Sequence, residues 1–338
     1  MPVKLKRFLW TLVAAFGLPV LVFVGVFVAT MGQYSVPATL GPGSEQPTLQ
    51  LNQATFHVQT FGEPSQPPLL VVHDGPGGDH RSLLPLKALA DSHYVIFYDQ
   101  RGTGLSPRVP NAQLSIELAL QDLEAFVLHY GKGRPVALLG HGWGGMLAAS
   151  YAVREPARVS RLMLAEPGFL NEELAAQIIF AGGRDSTGLL LKTAASWVRA
   201  LHIPKLDPDM RRDFVFGQIR VQKDYYCERQ LPADLPERSW RSGFGAWKMI
   251  TQATLNEEGK IQLDFLKGID KYADPVLFLA SSCNTLTGRE FQARQAKLFA
   301  QAAMVSIPQS SHDLFWDNPQ ASLAAVRQFL DSGKLPGT

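Results

Sequence analysis

A chain of 338 residues with 46% hydrophobic and 18% charged side chains has the apolar content for a large buried core, which excludes a disordered or fibrous polymer. The formal charge is +2, yet Lys4, Lys6 and Arg7 precede the first acid, Glu45, so 32 − 3 = 29 basic residues face 30 acidic ones beyond them. That near-neutral balance gives no electrostatic footprint for nucleic acid, and two cysteines, Cys227 and Cys283, are too few and too far apart for a metal cluster.

Residues 1–7 form a basic tip, and residues 8–31 an uncharged run long enough to cross a hydrocarbon core of about 30 Å as a helix. A cleaved signal peptide has a shorter apolar core, and Phe27-Val28-Ala29 is a poor cleavage site, so an uncleaved transmembrane signal anchor is the expectation. Basic residues stay on the cytoplasmic side, which predicts a periplasmic or extracellular soluble domain. Residues 32–48, rich in Gly, Pro, Ser and Gln, suit a tether. The two cysteines can pair in an oxidising compartment, with two free thiols the blander reading.

The fold is expected to begin at Leu49. Residues 54–61 alternate as an outer strand, and 69–72 form a short buried one running into His73-Asp74-Gly75-Pro76-Gly77-Gly78, a loop that bares backbone N–H groups. Residues 94–98 are the next buried strand, ending in Asp99-Gln100-Arg101-Gly102-Thr103-Gly104-Leu105-Ser106. Residues 114–130 carry apolar side chains at helical spacing. Then Val136-Ala-Leu-Leu-Gly140 stops at Gly140-His141-Gly142-Trp143-Gly144, a bend before a helix over 146–154. A strand over 159–164 ends at Ala165-Glu166-Pro167. Alternating strands and helices predict an α/β fold with a doubly wound, mostly parallel sheet, whose ligands gather at the carboxyl ends of the strands.

Further on, residues 275–280 read as a strand leaving through Ser281-Ser282-Cys283-Asn284, and 304–307 as another, followed by Ser310-Ser311-His312. Asp317-Asn318-Pro319 caps a closing amphipathic helix to Leu330.

In this order the three motifs, His73-Asp74-Gly75-Pro76-Gly77, Asp99 to Ser106 and Gly140-His141-Gly142-Trp143-Gly144, resemble the α/β-hydrolase family of prolyl iminopeptidase type. The resemblance covers residues 49–169 and 275–338, which implies a hydrolase core there and a helical cap insertion over 170–274. It implies peptide, amide or ester hydrolysis by a serine at the elbow, where this chain has Gly142, so the nucleophile position is vacant. It also implies a catalytic histidine at His312 and a triad acid at the position of Asn284, so the acid is replaced too. The backbone N–H groups of Gly75 and Trp143 match the oxyanion hole. In the cap, family members hold the substrate amine with acids; Glu172, Glu173, Asp224 and Glu228 are available, though solvated surface is the plainer role for each.

Without an attacking oxygen, serine catalysis falls by about six orders of magnitude. Glu166 is either an alternative acid that orients a water through His312, with Gly142 leaving room for that water, or a cap on the turn before Pro167. His141 is expected to line the pocket rather than attack, and Cys283 to be an incidental thiol. Asp74 stands where the family has glycine; its carboxylate would repel the developing negative charge unless it points away, disfavours acyl transfer unless it is protonated, and could also bind a cationic group. Asp99 and Arg101 are expected to brace the loops as an ion pair, with His73 and Ser106 also structural.

Two functions fit: a pseudoenzyme that binds a small-molecule or peptide ligand in the cleft between cap and core, favoured by the two losses at Gly142 and Asn284, or an active hydrolase or lyase using water activated by His312 with Glu166 or Asn284. A glycine introduced at 142 to trap substrate is disfavoured by Asn284. Restoring a serine at 142 is expected to recover weak or partial reactivity. No cofactor or metal motif is present in the sequence.

Overall fold

The computed structural model describes residues 6, 16–41, 44, 46–182, 186–204, 206–220, 225–226, 238–259, 261 and 263–335. In chain order the first described elements are α1 (Leu18–Ala29), β1 (Thr48–Leu51), β2 (Ala54–Phe61), β3 (Pro68–Val72), β4 (Tyr94–Tyr98), α2 (Ile116–Gly131), β5 (Val136–His141), α3 (Trp143–Arg154) and β6 (Val159–Ala165). Among the described residues four helices follow: α4 (Glu172–Gly182), α5 (Ser186–Ala200), α6 (Met210–Ile219) and α7 (Phe244–Ala253). The chain then adds β7 (Val276–Ser281), α8 (Arg289–Ala296), β8 (Ala302–Ile307), α9 (Leu314–Asp317) and α10 (Pro319–Ser332).

The eight strands form one sheet in the order β1-β2-β4-β3-β5-β6-β7-β8. The first two pairings, β1 with β2 and β2 with β4, are antiparallel, and every later pairing is parallel. In β3, β5 and β7 every residue is buried, which is why they read as apolar runs without alternation: helices cover both faces. Alternate side chains enter opposite layers, Leu70, Val72 and Leu138 facing α2 and α3, Leu69, Val71 and Leu139 facing α10. Each fully buried Leu, Val or Phe contributes about 1.5–3 kcal/mol, so this double layer fixes the sheet.

The register decides what meets at the sheet's edge. Val72 pairs with Gly140, Gly140 with Leu164, and Leu164 with Phe278, so β3, β5, β6 and β7 end at nearly the same level. The residues just beyond them, Asp74, Gly142, Glu166 and Asn284, therefore emerge side by side although up to 210 positions separate them, counting 284 − 74.

Three boundaries differ from the sequence reading. Strand β1 pairs through Thr48, inside the segment assigned to the tether. Helix α3 starts at Trp143 rather than 146, because Gly144 and Gly145 are helical residues and not turn punctuation. A Cβ on Gly144 would overlap the Val72 carbonyl oxygen, so the glycine lets the helix close onto β3. At the N-terminus α1 has twelve residues, about 18 Å of helix. No helix among the described residues is long and apolar enough to cross a membrane, and residues 8–15 of the expected span lie outside the described residues.

Buried ion pairs hold the inserted helices to the core. Asp213 accepts from Arg108 Nη2 at 2.8 Å and Arg241 Nε at 2.8 Å, while one oxygen of Asp79 accepts from the backbone N–H groups of Trp240 and Arg241 at 2.8 and 3.0 Å. Of the four cap acids, Glu172 and Glu173 are exposed, and Asp224 and Glu228 lie outside the described residues.

Candidate active site

At the elbow Gly142 takes φ 51° and ψ −117°, a conformation that L side chains rarely adopt, and its N–H donates to the Ala165 carbonyl at 2.9 Å. The space above it is filled. A Cβ on residue 142 would overlap Asp74 Oδ1, so the carboxylate of the β3 loop stands where an elbow side chain would begin. Asp74 does not point away: Oδ1 accepts from the Trp143 N–H at 2.8 Å, and Oδ2 lies 3.3 Å from His312 Nε2. The room expected for a water at Gly142 is thus occupied by a side chain, and the Trp143 donor assigned to an oxyanion is already engaged. Gly75 lies beside this donor, its Cβ position 3.3 Å from the Trp143 indole.

The loop that carries Asp74 is held from behind. The backbone N–H of Gln100 donates to His73 Nε2 at 2.9 Å, so His73 donates through Nδ1 to the Asp74 carbonyl at 2.7 Å. The Gln100 side chain accepts from Trp143 Nε1 at 2.9 Å, joining loop and elbow. Burial holds His73 below the ordinary imidazole range, as this neutral role requires.

His312 follows β8 and gives its backbone N–H to the Tyr225 carbonyl at 3.0 Å. Its Nδ1 meets Glu166 Oε2 at 2.8 Å. Glu166 is fully buried, and its carboxylate also accepts the N–H of Ser281 at 2.7 Å, the Ser281 hydroxyl, and Asn284 Nδ2 at 2.7 Å. Glu166 is therefore the acid facing the histidine, not a cap on the Pro167 turn. Asn284 makes no bond to His312; it donates to Glu166 and to Thr287 Oγ1. An aspartate there would set two carboxylates against each other, so the amide at 284 and the acid at 166 are complementary.

Charge follows from this geometry. Burial opposes a positive charge on His312, but the hydrogen bonds and fields of Asp74 and Glu166 prevail and raise its pKa well above the ordinary imidazole value. Burial pushes Asp74 and Glu166 up, and the partnership with His312 outweighs it, so both lie below the usual carboxylate range. All three shifts favour the charged forms, carboxylates at 74 and 166 and an imidazolium at 312. A hydroxyl nucleophile would need His312 as a neutral base, which this arrangement disfavours.

His141 sits beneath, its ring 4.4 Å from that of His312, and its Nε2 lies 2.8 Å from the His312 carbonyl oxygen as donor. Burial, then the charge of His312, lower its pKa, and Nδ1 has no partner. Asp74, His141 and His312 bring one donor atom each within 4.8 Å of one another, as do His57, His80 and Asp99. In the second group both Asp99 oxygens are already taken, by His57 Nδ1 at 2.8 Å and His80 Nδ1 at 2.7 Å, which marks a structural knot. In the first, the direct contact of Asp74 with His312 is what the geometry offers.

Asp99 and Arg101 do not pair with each other. Arg101 forks onto Asp122 at 2.6 and 2.8 Å, and Ser106 Oγ donates to the Asp99 carbonyl at 2.7 Å. His57, His80, Asp122 and Tyr225 went unnoticed in the sequence because none lies in a motif. Cys283 is disulfide-bonded, not the free thiol favoured from sequence; Cys227 lies outside the described residues.

The alpha/beta hydrolase fold family model matches residues 67–319. A proline iminopeptidase from Saccharolobus solfataricus (strain ATCC 35092 / DSM 1617 / JCM 11322 / P2) is 38% identical over 279 residues, 78% of this chain and 84% of that one. An sn-1-specific diacylglycerol lipase from Mus musculus is 26% identical over 273 residues, 80% of this chain and 82% of the other. Among solved structures, a proline iminopeptidase-related protein from Thermus thermophilus superposes with a TM-score of 0.59 at 20% identity, covering 85% of this chain and 97% of that one. The core, its strand-end site and these relatives agree: the chain belongs to the alpha/beta hydrolase fold family and is prolyl iminopeptidase-like.

Proposed function

We propose that this protein is a membrane-anchored hydrolase relative that has given up acyl transfer from an elbow serine and holds a small-molecule or peptide ligand in the cleft between cap and core. One observation carries the reading: the Asp74 carboxylate occupies the nucleophile's space over Gly142 and takes the Trp143 N–H that would serve an oxyanion. A negative group in that hole repels the charge that an acyl-transfer intermediate develops. The same carboxylate, with 26% of its side chain exposed, suits a ligand with a cationic group.

A second reading, hydrolysis by water activated through His312, draws on the intact contact of His312 with Glu166 at 2.8 Å. It ranks below the first because an imidazolium has no lone pair for a water proton at neutral pH. Anchoring draws support from α1, none of whose residues is buried, and from exposed Leu189, Leu190 and Leu191 on α5, the helix next to it. A disulfide at Cys283 accords with an oxidising compartment outside the cytoplasm.

The test is to treat the purified full chain with a fluorophosphonate probe and with prolyl-anilide and short-chain ester substrates. No serine labelling and no turnover above background is the expected result. Rapid hydrolysis that disappears in His312→Gln would overturn the binding reading in favour of the water mechanism. Protease treatment of intact spheroplasts should digest the domain, and full protection would refute the outward orientation.

A further inference from the structure

We propose that helix α5 of the inserted cap lies in the lipid leaflet that α1 enters, so that the protein holds the membrane at two places: Leu189, Leu190, Leu191, Trp197 and Leu201 are exposed along α5 and just past its end, and the next residue, His202, is bonded to the foot of α1. The inference rests on the anchored reading above and deepens it by naming the surface of the cap that meets lipid.

Three consecutive exposed leucines contribute nothing to a core, and a surface bathed in water avoids such a run. Further along, Leu190, Ala194, Trp197 and Leu201 recur at i, i+4, i+7 and i+11 and share one uncovered face, while Ala200 and Ile203 on another side pack against Met210 and Val215 of α6. Lys192 and Arg199 fall about half a turn from the apolar face. Residues 186–204 contain no acid, so the helix carries only the sign of charge that acidic headgroups attract.

Continuity with α1 selects lipid as the occupant. His202 Nε2 lies 3.1 Å from the Phe27 carbonyl oxygen and 3.2 Å from Thr30 Oγ1, and its ring is 4.2 Å from that of Phe27. Thr30 is the last residue but one of the uncharged run 8–31, where a spanning helix of that length leaves the hydrocarbon. Leu201, next to His202, therefore stands at the boundary between lipid and water, with Trp197 one turn away, the level at which indole rings settle in bilayers. The join is stiff. Tyr34 Oη donates to the Thr30 carbonyl at 2.9 Å, and its ring lies 5.7 Å from that of Phe214 on α6. Arg241 Nη1 donates to the Pro37 carbonyl at 3.0 Å, and the Leu40 N–H to the Leu105 carbonyl at 2.8 Å. Residues 34–40 are a brace and not a free tether, so the cap stays against the leaflet once α1 is in it.

The experiment places a nitroxide on the full chain at Leu190→Cys, Val22→Cys or Leu128→Cys, in bilayers of phosphatidylethanolamine and phosphatidylglycerol. Collisions with oxygen, which concentrates in lipid, are compared with collisions with a nickel chelate, which stays in water. The native cysteines do not take the label, since none is free. The expected result is a several-fold excess of oxygen over chelate at 190 and at 22, and the reverse at 128, an exposed leucine on α2 of the core. Lipid at 22 with water at 190 leaves the anchor standing and overturns this proposal. Water at both refutes the anchor and this proposal together. Protection from both reagents at 190, with spin–spin broadening, gives the face to a second copy of the chain and overturns the proposal as well.

Discussion

Asp74 and Gly142 share one volume: the carboxylate of the first fills the space that any side chain on the second would enter. The two departures from the family's motifs are therefore one physical change. A glycine at 142 admits the carboxylate, and the carboxylate excludes a serine.

This relationship revises the outcome expected for Gly142→Ser. The new hydroxymethyl group would meet Asp74 Oδ1, so the single variant should lose stability by about 1–3 kcal/mol, as overpacked sites do, and stay unreactive to fluorophosphonate. Asp74→Gly with Gly142→Ser restores both family motifs and should gain serine labelling. Gel fluorescence with thermal melts decides; equal labelling of the single and double variants would mean that the carboxylate does not block the site.

Glu166→Gln keeps the shape but removes the charge that faces His312 at 2.8 Å. The imidazole pKa should fall, because burial then opposes the charge with Asp74 alone to support it. Stability should drop by about 1–3 kcal/mol, the range for spoiling one buried charged hydrogen bond. An NMR titration of His312 checks this, and an unchanged midpoint would remove Glu166 from its orienting role. Asn284→Asp should lower stability more steeply near neutrality than in acid, since it sets a second carboxylate against Glu166.

The charge triplet sets a pH window. His312 has a folded pKa above its ordinary value of 6.5, so its contribution is full below that value and fades as pH rises through the folded pKa. Asp74 and Glu166 have folded pKa values below their ordinary 3.8 and 4.5, so their contribution is present above those values and fades as pH falls through the folded ones. Urea midpoints should decline on both flanks, and His312→Gln should flatten the alkaline flank. An alkaline decline of equal size in that variant would point to other groups.

Asp213→Ala strips the shared acceptor from Arg108 and from Arg241, whose side chain is wholly buried. Breaking a buried pair by removing one partner costs about 3–5 kcal/mol. Since Asp213 joins α6 to Arg108 of the core, limited proteolysis should cut the inserted helices before the sheet. Core and cap digested together at the parent's rate would show that the ion pairs do not hold the cap.

Much of the scaffold can be read from local pattern. Apolar runs at 69–72, 94–98 and 136–140 mark strands because helices on both sides leave no polar position, and Asn318 announces a helix by accepting from the Ala321 N–H. Glycine was harder to interpret: the same residue type serves the bend at 142 and the close helix packing at 144, and neighbours in sequence do not distinguish them.

The chain's motifs by themselves determined the hydrolase scaffold, the absence of an elbow hydroxyl and the place of His312, since each depends on residues adjacent in sequence. Which acid faces that histidine, and that Asp74 turns inward to take the serine's place, only the tertiary structure decided. The physical reason is the parallel register: it ends β3, β5, β6 and β7 at one level and so brings residues 74, 142, 166 and 284 together, a convergence that spacing along the chain does not encode.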